Sequence, residues 1–157
     1  MNVTFAPRGI LQIDDARIIY RNFEGHGDKY NREGDRNFAV IIPDRDICDQ
    51  LLDAGWNVRI KPSRHEDEPD QDFMYLPVKV KFTDRGPACY LVSGSQEVKL
   101  DEESVGIIDD LDILSVNMDI RPYDWEINGK SGRTAYLQSI EVIQKIDRFA
   151  AKYLNHE

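Results

Sequence analysis

Cysteine is nearly absent from this chain: Cys48 and Cys89 are the only two, so no disulfide framework is expected and a reducing compartment fits. No run approaches the roughly 18 consecutive apolar residues of a membrane span, and residues 1–8 lack the apolar core of a signal peptide. A cytoplasmic location without membrane contact is therefore expected. Histidine is equally scarce. His26, His65 and His156 stand in loops or near the end, and none pairs with a cysteine at zinc-ligand spacing, so no structural zinc is expected. There is no Gly-x-Ser-x-Gly elbow and no cysteine nucleophile signature, so no catalytic residue and no cofactor is expected. Gly129-Lys130-Ser131 resembles the end of a phosphate-cradling loop, but the glycine required five residues upstream is Asp124, and the tripeptide reads as a hairpin turn. Repeats, low-complexity tracts and linkers are also missing, which leaves a single domain over residues 1–157.

What is present is globular: 41% apolar and 31% charged residues in 157, enough for one core. The formal charge of −9 argues at first against any polyanionic partner. Its distribution matters more. Fifteen of the 29 acidic residues fall in the stretches 44–53, 66–72 and 101–112, which hold a single basic residue, Arg45. Outside them 19 basic residues face 14 acidic ones, so a basic surface can coexist with an acidic total.

Along the chain, residues 9–23 read as a strand or a bent pair of strands, 24–35 as a Gly-, Asp- and Asn-rich loop, and 36–42 (RNFAVII) as a buried strand ended by Pro43. Asp44 is placed to cap a helix carrying Ile47, Leu51 and Leu52, with Gly55 to end it. Residues 56–61 (WNVRIK) alternate, with Trp56, Val58 and Ile60 on the core face. Residues 62–72 read as an acidic loop. Residues 73–82 alternate again, and Pro77 points to an edge or a bulge. Residues 88–93 form a short strand and 101–111 a short helix. Residues 113–127 and 133–144 form a long hairpin reversed at Asn128-Gly129, with Leu114, Val116, Met118 and Ile120 inward, and 147–154 form a C-terminal helix. About seven strands without strand–helix alternation predict a mainly β domain, a small antiparallel barrel with one or two short helices.

The outward faces of these strands interleave aromatic and basic residues: Phe73, Tyr75, Lys79 and Lys81 on one strand, Arg121, Tyr123 and Trp125 on another, Arg59 and Lys61 on a third, with Lys130 and Arg133 at the hairpin tip. Flat rings beside cations are what a ligand exposing both unstacked bases and phosphates requires, and strands supply them at every second residue. A bland reading competes: some of the rings lie under a loop or the C-terminal helix and the cations only solubilise.

The blocks Asn37-Phe38-Ala39-Val40-Ile41-Ile42-Pro43, Gly55-Trp56-Asn57-Val58, Arg121-Pro122-Tyr123-Asp124-Trp125-Glu126 and Ala135-Tyr136-Leu137 give the chain, over about residues 9–144, a resemblance to OB-fold single-stranded DNA-binding proteins of phage replication or recombination modules. The resemblance implies a five-stranded barrel with additions and a groove that protects single strands without strong sequence preference. The implied partners are single-stranded DNA and phage or host replication and recombination proteins, with a homodimer allowed. Where many such proteins carry an acidic tail, residues 153–157 carry one carboxylate side chain. Two rival readings stand beside this one: an acidic protein-interaction module that mimics a phosphate backbone, such as a host-factor inhibitor, and a metal-dependent nuclease built on Asp109, Asp110 and Asp112.

Overall fold

The computed structural model describes residues 1–63 and 72–146. Among them ten strands join one sheet: β1 (Asn2–Phe5), β2 (Leu11–Ala16), β3 (Ile18–Asn22), β4 (Arg36–Ile42), β5 (Arg59–Lys61), β6 (Phe73–Val80), β7 (Ala88–Ser93), β8 (Gln96–Leu100), β9 (Ile113–Ile127) and β10 (Lys130–Gln144). The domain is mainly β, as its alternating segments predict. The helical elements include α1 (Arg45–Asp53) and a 3-10 helix, Val105–Asp110. No helix among the described residues is long and apolar enough to cross a membrane.

Main-chain pairing runs β1-β2-β9-β10-β6-β4-β3, with β5 beside β6 and β7 between β10 and β8; the sheet is not closed. The longest pairing is the β9–β10 hairpin. Asn128 and Gly129 both have positive φ, 52° and 79°, the backbone a two-residue primed turn needs to match the right-handed strand twist. The sheet is not wholly antiparallel, because β10 runs parallel to β6 at Ala135 and Tyr136 and then, beyond a register shift between Leu137 and Ser139, parallel to β7. One strand thus serves two neighbours in succession.

The same device explains Pro77. Strand β6 is internal rather than an edge, with β4 along one side; on the other it pairs with β5 at Phe73–Tyr75 and with β10 at Val78 and Lys79. Pro77, which cannot donate a ladder hydrogen bond, stands at the gap between those two neighbours.

Period-two alternation puts Leu11, Ile13, Phe38, Val40, Leu76, Val78, Val116, Met118, Ile120 and Leu137 into one core. Each such side chain contributes roughly 1.5–3 kcal/mol by leaving water. Phe23 stacks on Phe38 with ring centres 5.0 Å apart. Helix α1 is capped as expected, the Asp44 carboxylate accepting from the Ile47 N–H at 2.9 Å, and its buried residues Cys48 and Leu51 join Trp56 in the core.

Several expectations are corrected. The count is ten strands, because β1 and β8 carry too few apolar residues to announce themselves and residues 9–23 divide into β2 and β3. Of 56–61 only Arg59–Lys61 is strand, and Ile60 is 37% exposed because β5 pairs at the rim of β6. Leu114 does not face inward but is 61% exposed, since a register irregularity near Ile113 breaks the alternation there. The acidic segment 101–104 is a turn stitched by Asp101, which accepts from Glu103 and Ser104. The expected C-terminal helix lies outside the described residues.

Candidate functional site

The alternation that sends Met74, Leu76, Val78 and Val80 of β6 into the core turns Phe73, Tyr75, Pro77 and Lys79 to the opposite face. At each end of this row, neighbouring strands contribute aromatic and cationic side chains.

At the Tyr75 end, Arg59 and Lys61 of β5 lie opposite Tyr75 and Phe73. The Phe73 and Tyr75 ring centres are 5.5 Å apart, and Tyr20 of β3 meets Tyr75 edge-on at 5.6 Å. The Lys61 ammonium donates to the Tyr20 hydroxyl at 3.1 Å and lies 5.3 Å and 5.7 Å from the centres of the Tyr20 and Tyr75 rings. That hydrogen bond to the Tyr20 hydroxyl is the main reason the Lys61 pKa is raised.

At the Lys79 end a straight row crosses four strands: Asn37 of β4 is opposite Lys79, Lys79 opposite Tyr136 of β10, and Tyr136 opposite Arg121 of β9. The Arg121 guanidinium lies 5.0 Å from the Tyr136 ring centre, and Tyr123 meets the same ring edge-on at 5.9 Å. The row continues up the hairpin: Tyr123 opposite Thr134, Trp125 opposite Gly132, and Ile127 opposite Lys130. A Cβ on Gly132 would come within 2.5 Å of the Trp125 ring, so the indole lies directly over that glycine. Behind Lys79 and Lys81 a hollow of about 590 Å³ is lined by Asn31, Arg32, Arg36 and Tyr136, with Asp35 and Glu102 also on its wall. The loop forming that wall is well stitched, for the Asn31 side-chain amide donates to the carbonyls of His26, Arg32 and Asp35.

Of the eleven residues singled out from the sequence, ten stand in or beside these groups. Arg133 does not. It alternates to the other face of the hairpin, where it pairs with Asp124. By contrast Arg59, Lys61, Lys79, Lys81, Arg121 and Lys130 have no ion pair with a described residue. Two contributors escaped the sequence reading. Tyr136 was legible in principle, since a two-residue turn at Asn128-Gly129 fixes the register that places it beside Arg121. Tyr20 was not, because its position depends on a register shift between Ile19 and Asn22 and on a φ of 55°.

Of the aspartates considered for metal-assisted chemistry, Asp109 is taken up by backbone donors, and no group of three or more His, Cys, Asp or Glu among the described residues is placed to hold a metal ion. Asp109 accepts from the backbone N–H groups of Phe23 and Glu24 at 2.7 Å and 3.0 Å, tying β3 to the 3-10 helix. Arg21 donates to the carbonyls of Ile108 and Leu111 from the other side. The segment acts as a clasp.

The sequence matches, over residues 2–156, the family described as "Putative phage ssDNA-binding domain". Comparison with curated proteins gave no match. Among solved structures, the single-stranded DNA-binding protein of bacteriophage Enc34 is similar in fold. Its complex with ssDNA superposes with a TM-score of 0.59 at 14% identity, covering 94% of this chain and 93% of that one. A C-terminal truncation of the same protein gives 0.57 at 16% identity, covering 93% and 91%.

Proposed function

The chain belongs to the family of putative phage ssDNA-binding domains, and from that membership we propose that it holds single-stranded DNA, without strong sequence preference, across the outward face of β6, β10 and β9. Tyr123, Trp125 and Tyr136 offer rings on which bases stack, and Lys79, Lys81, Arg121 and Lys130, with Arg59 and Lys61, meet the phosphates. The observation that carries this reading is the cross-strand row Lys79–Tyr136–Arg121, a ring under the Arg121 guanidinium with Lys79 opposite it on the next strand, neither cation in an ion pair with a described carboxylate. A single strand presents a π-face and a phosphate at every nucleotide, and this row answers both. The acidic total is unevenly placed: the stretch 44–53 lies on α1 and its flanks, whereas Glu102 of the stretch 101–112 stands with Asp35 on the wall of the hollow behind Lys79 and Lys81.

On this reading the protein is a non-catalytic, OB-type cover for transient single strands in phage replication or recombination, working in the host cytoplasm alongside the proteins of those processes. Titration of a labelled oligonucleotide over a salt series tests it. Affinity should fall with salt, by a slope of about 0.7 per phosphate contact. Absence of binding at low salt, or equal preference for duplex, overturns it. A stoichiometric basic protein partner without oligonucleotide affinity would favour the acidic interaction module instead.

A further inference from the structure

Resting on the proposed binding of single strands, we infer that Tyr20, Tyr75 and Lys61 form a second, separate base-stacking subsite, so that a bound strand is gripped at both ends of β6. Tyr75 and Lys79 are four residues apart on one strand face, which puts the two groups about 13 Å from each other. At the roughly 3.4 Å axial spacing of a stacked strand this is about four nucleotides. Pro77, between them on the same face, offers neither an aromatic ring nor a charge.

Tyr20 is the decisive residue. Its backbone sits at φ 55°, a left-handed region that bulky residues rarely adopt. The consequence is that a half-exposed ring stands edge-on to Tyr75, leaving ring surface accessible beside it, and that its hydroxyl fixes Lys61 over both rings. An ammonium has three donors, and Tyr20 uses one. The remaining donors are pre-aimed at a phosphate flanking a base stacked there. Nothing in the packing of the core requires this ring: it is half exposed, and its ring and hydroxyl contacts among the described residues are to Tyr75 and Lys61.

Replacing Tyr20 by glycine removes the ring while retaining the residue type best suited to positive φ, so the fold should be kept, as circular dichroism and thermal unfolding would register. With a ten-nucleotide oligo-dT, Tyr20→Gly should weaken binding by about 5- to 150-fold, the loss of one stacked base. Tyr20→Phe keeps the ring but not the hydroxyl and should lie between the two. A ten-mer carrying 5-iododeoxyuridine should cross-link to Tyr20 or Tyr75 as well as to the Tyr136 group. Unchanged affinity of a folded Tyr20→Gly protein, while Tyr136→Ala loses affinity, overturns the second subsite and leaves the first intact. Absence of binding by the unaltered protein overturns both.

Discussion

Arg133 and Asp124 face each other across β9 and β10 and close a two-point ion pair, Nε to Oδ1 at 2.7 Å and a terminal nitrogen to Oδ2 at 3.1 Å. The same guanidinium donates to the Ala54 carbonyl at 3.1 Å and lies 5.4 Å from the Trp56 ring centre. It therefore ties the hairpin to the end of α1. Arg133→Ala should lower stability by about 1–3 kcal/mol in denaturant unfolding, through the lost hydrogen bonds and ring contact, and leave oligonucleotide affinity unchanged. An affinity loss equal to that of Arg121→Ala would return Arg133 to the binding face.

The pair also sets a pH dependence. Hydrogen bonding from Arg133 holds the Asp124 carboxyl below its ordinary 3.8. A carboxyl whose pKa is lowered by folding contributes stability that is present above 3.8 and is lost as acid titrates the folded form below it. The stability difference between the unaltered protein and Asp124→Asn should be constant near neutrality and shrink below pH 3.8, as thermal unfolding across that range would reveal.

Tyr136→Ala should cost about 1–3 kcal/mol of oligonucleotide affinity, measured by fluorescence titration. Lys79→Gln should weaken binding to all sequences alike and reduce the salt slope by about 0.7. A changed sequence preference in Lys79→Gln would contradict a phosphate role.

Asp109 satisfies two backbone donors, at Phe23 and Glu24. Asp109→Ala should destabilise the fold by about 1–3 kcal/mol, read as a lowered Tm, because both N–H groups lose their partner. If Asp109 instead served metal-assisted hydrolysis, single-stranded DNA would be cut in the presence of magnesium or manganese, and the expected result is intact DNA.

Both free thiols are buried, and burial pushes Cys89 up to about 11. Cys89 should resist thiol reagents at pH 8 in the folded protein and react fully in denaturant. Because folding raises this pKa, its effect on stability is absent below the ordinary 9.0 and grows unfavourable as pH rises from there to about 11.

The mainly β class, the α1 cap at Asp44, the long hairpin and the outward direction of most side chains of the proposed binding face were legible because each rests on local rules: two-residue alternation, side-chain capping and turn chemistry. The interior position of β6 was not, since Pro77 reads as an edge signal until two successive neighbours are seen to leave a gap at that residue. Ile60 and Leu114 fit an inward pattern that pairing at the rim and a broken register override.

Alternation along residues 73–80 and 113–127 determined by itself which side chains turn away from the core, because a strand offers only two faces. The hairpin turn settles its own cross-strand neighbours, Arg121 with Tyr136 and Asp124 with Arg133. Which other side chains meet was decided by the tertiary structure: the parallel seating of β10 beside β6 brings Lys79 opposite Tyr136, and the backward turn at Tyr20 brings a second ring to Tyr75. Pairing between strands distant in sequence fixes these neighbours, and no local pattern records which distant strand will lie alongside.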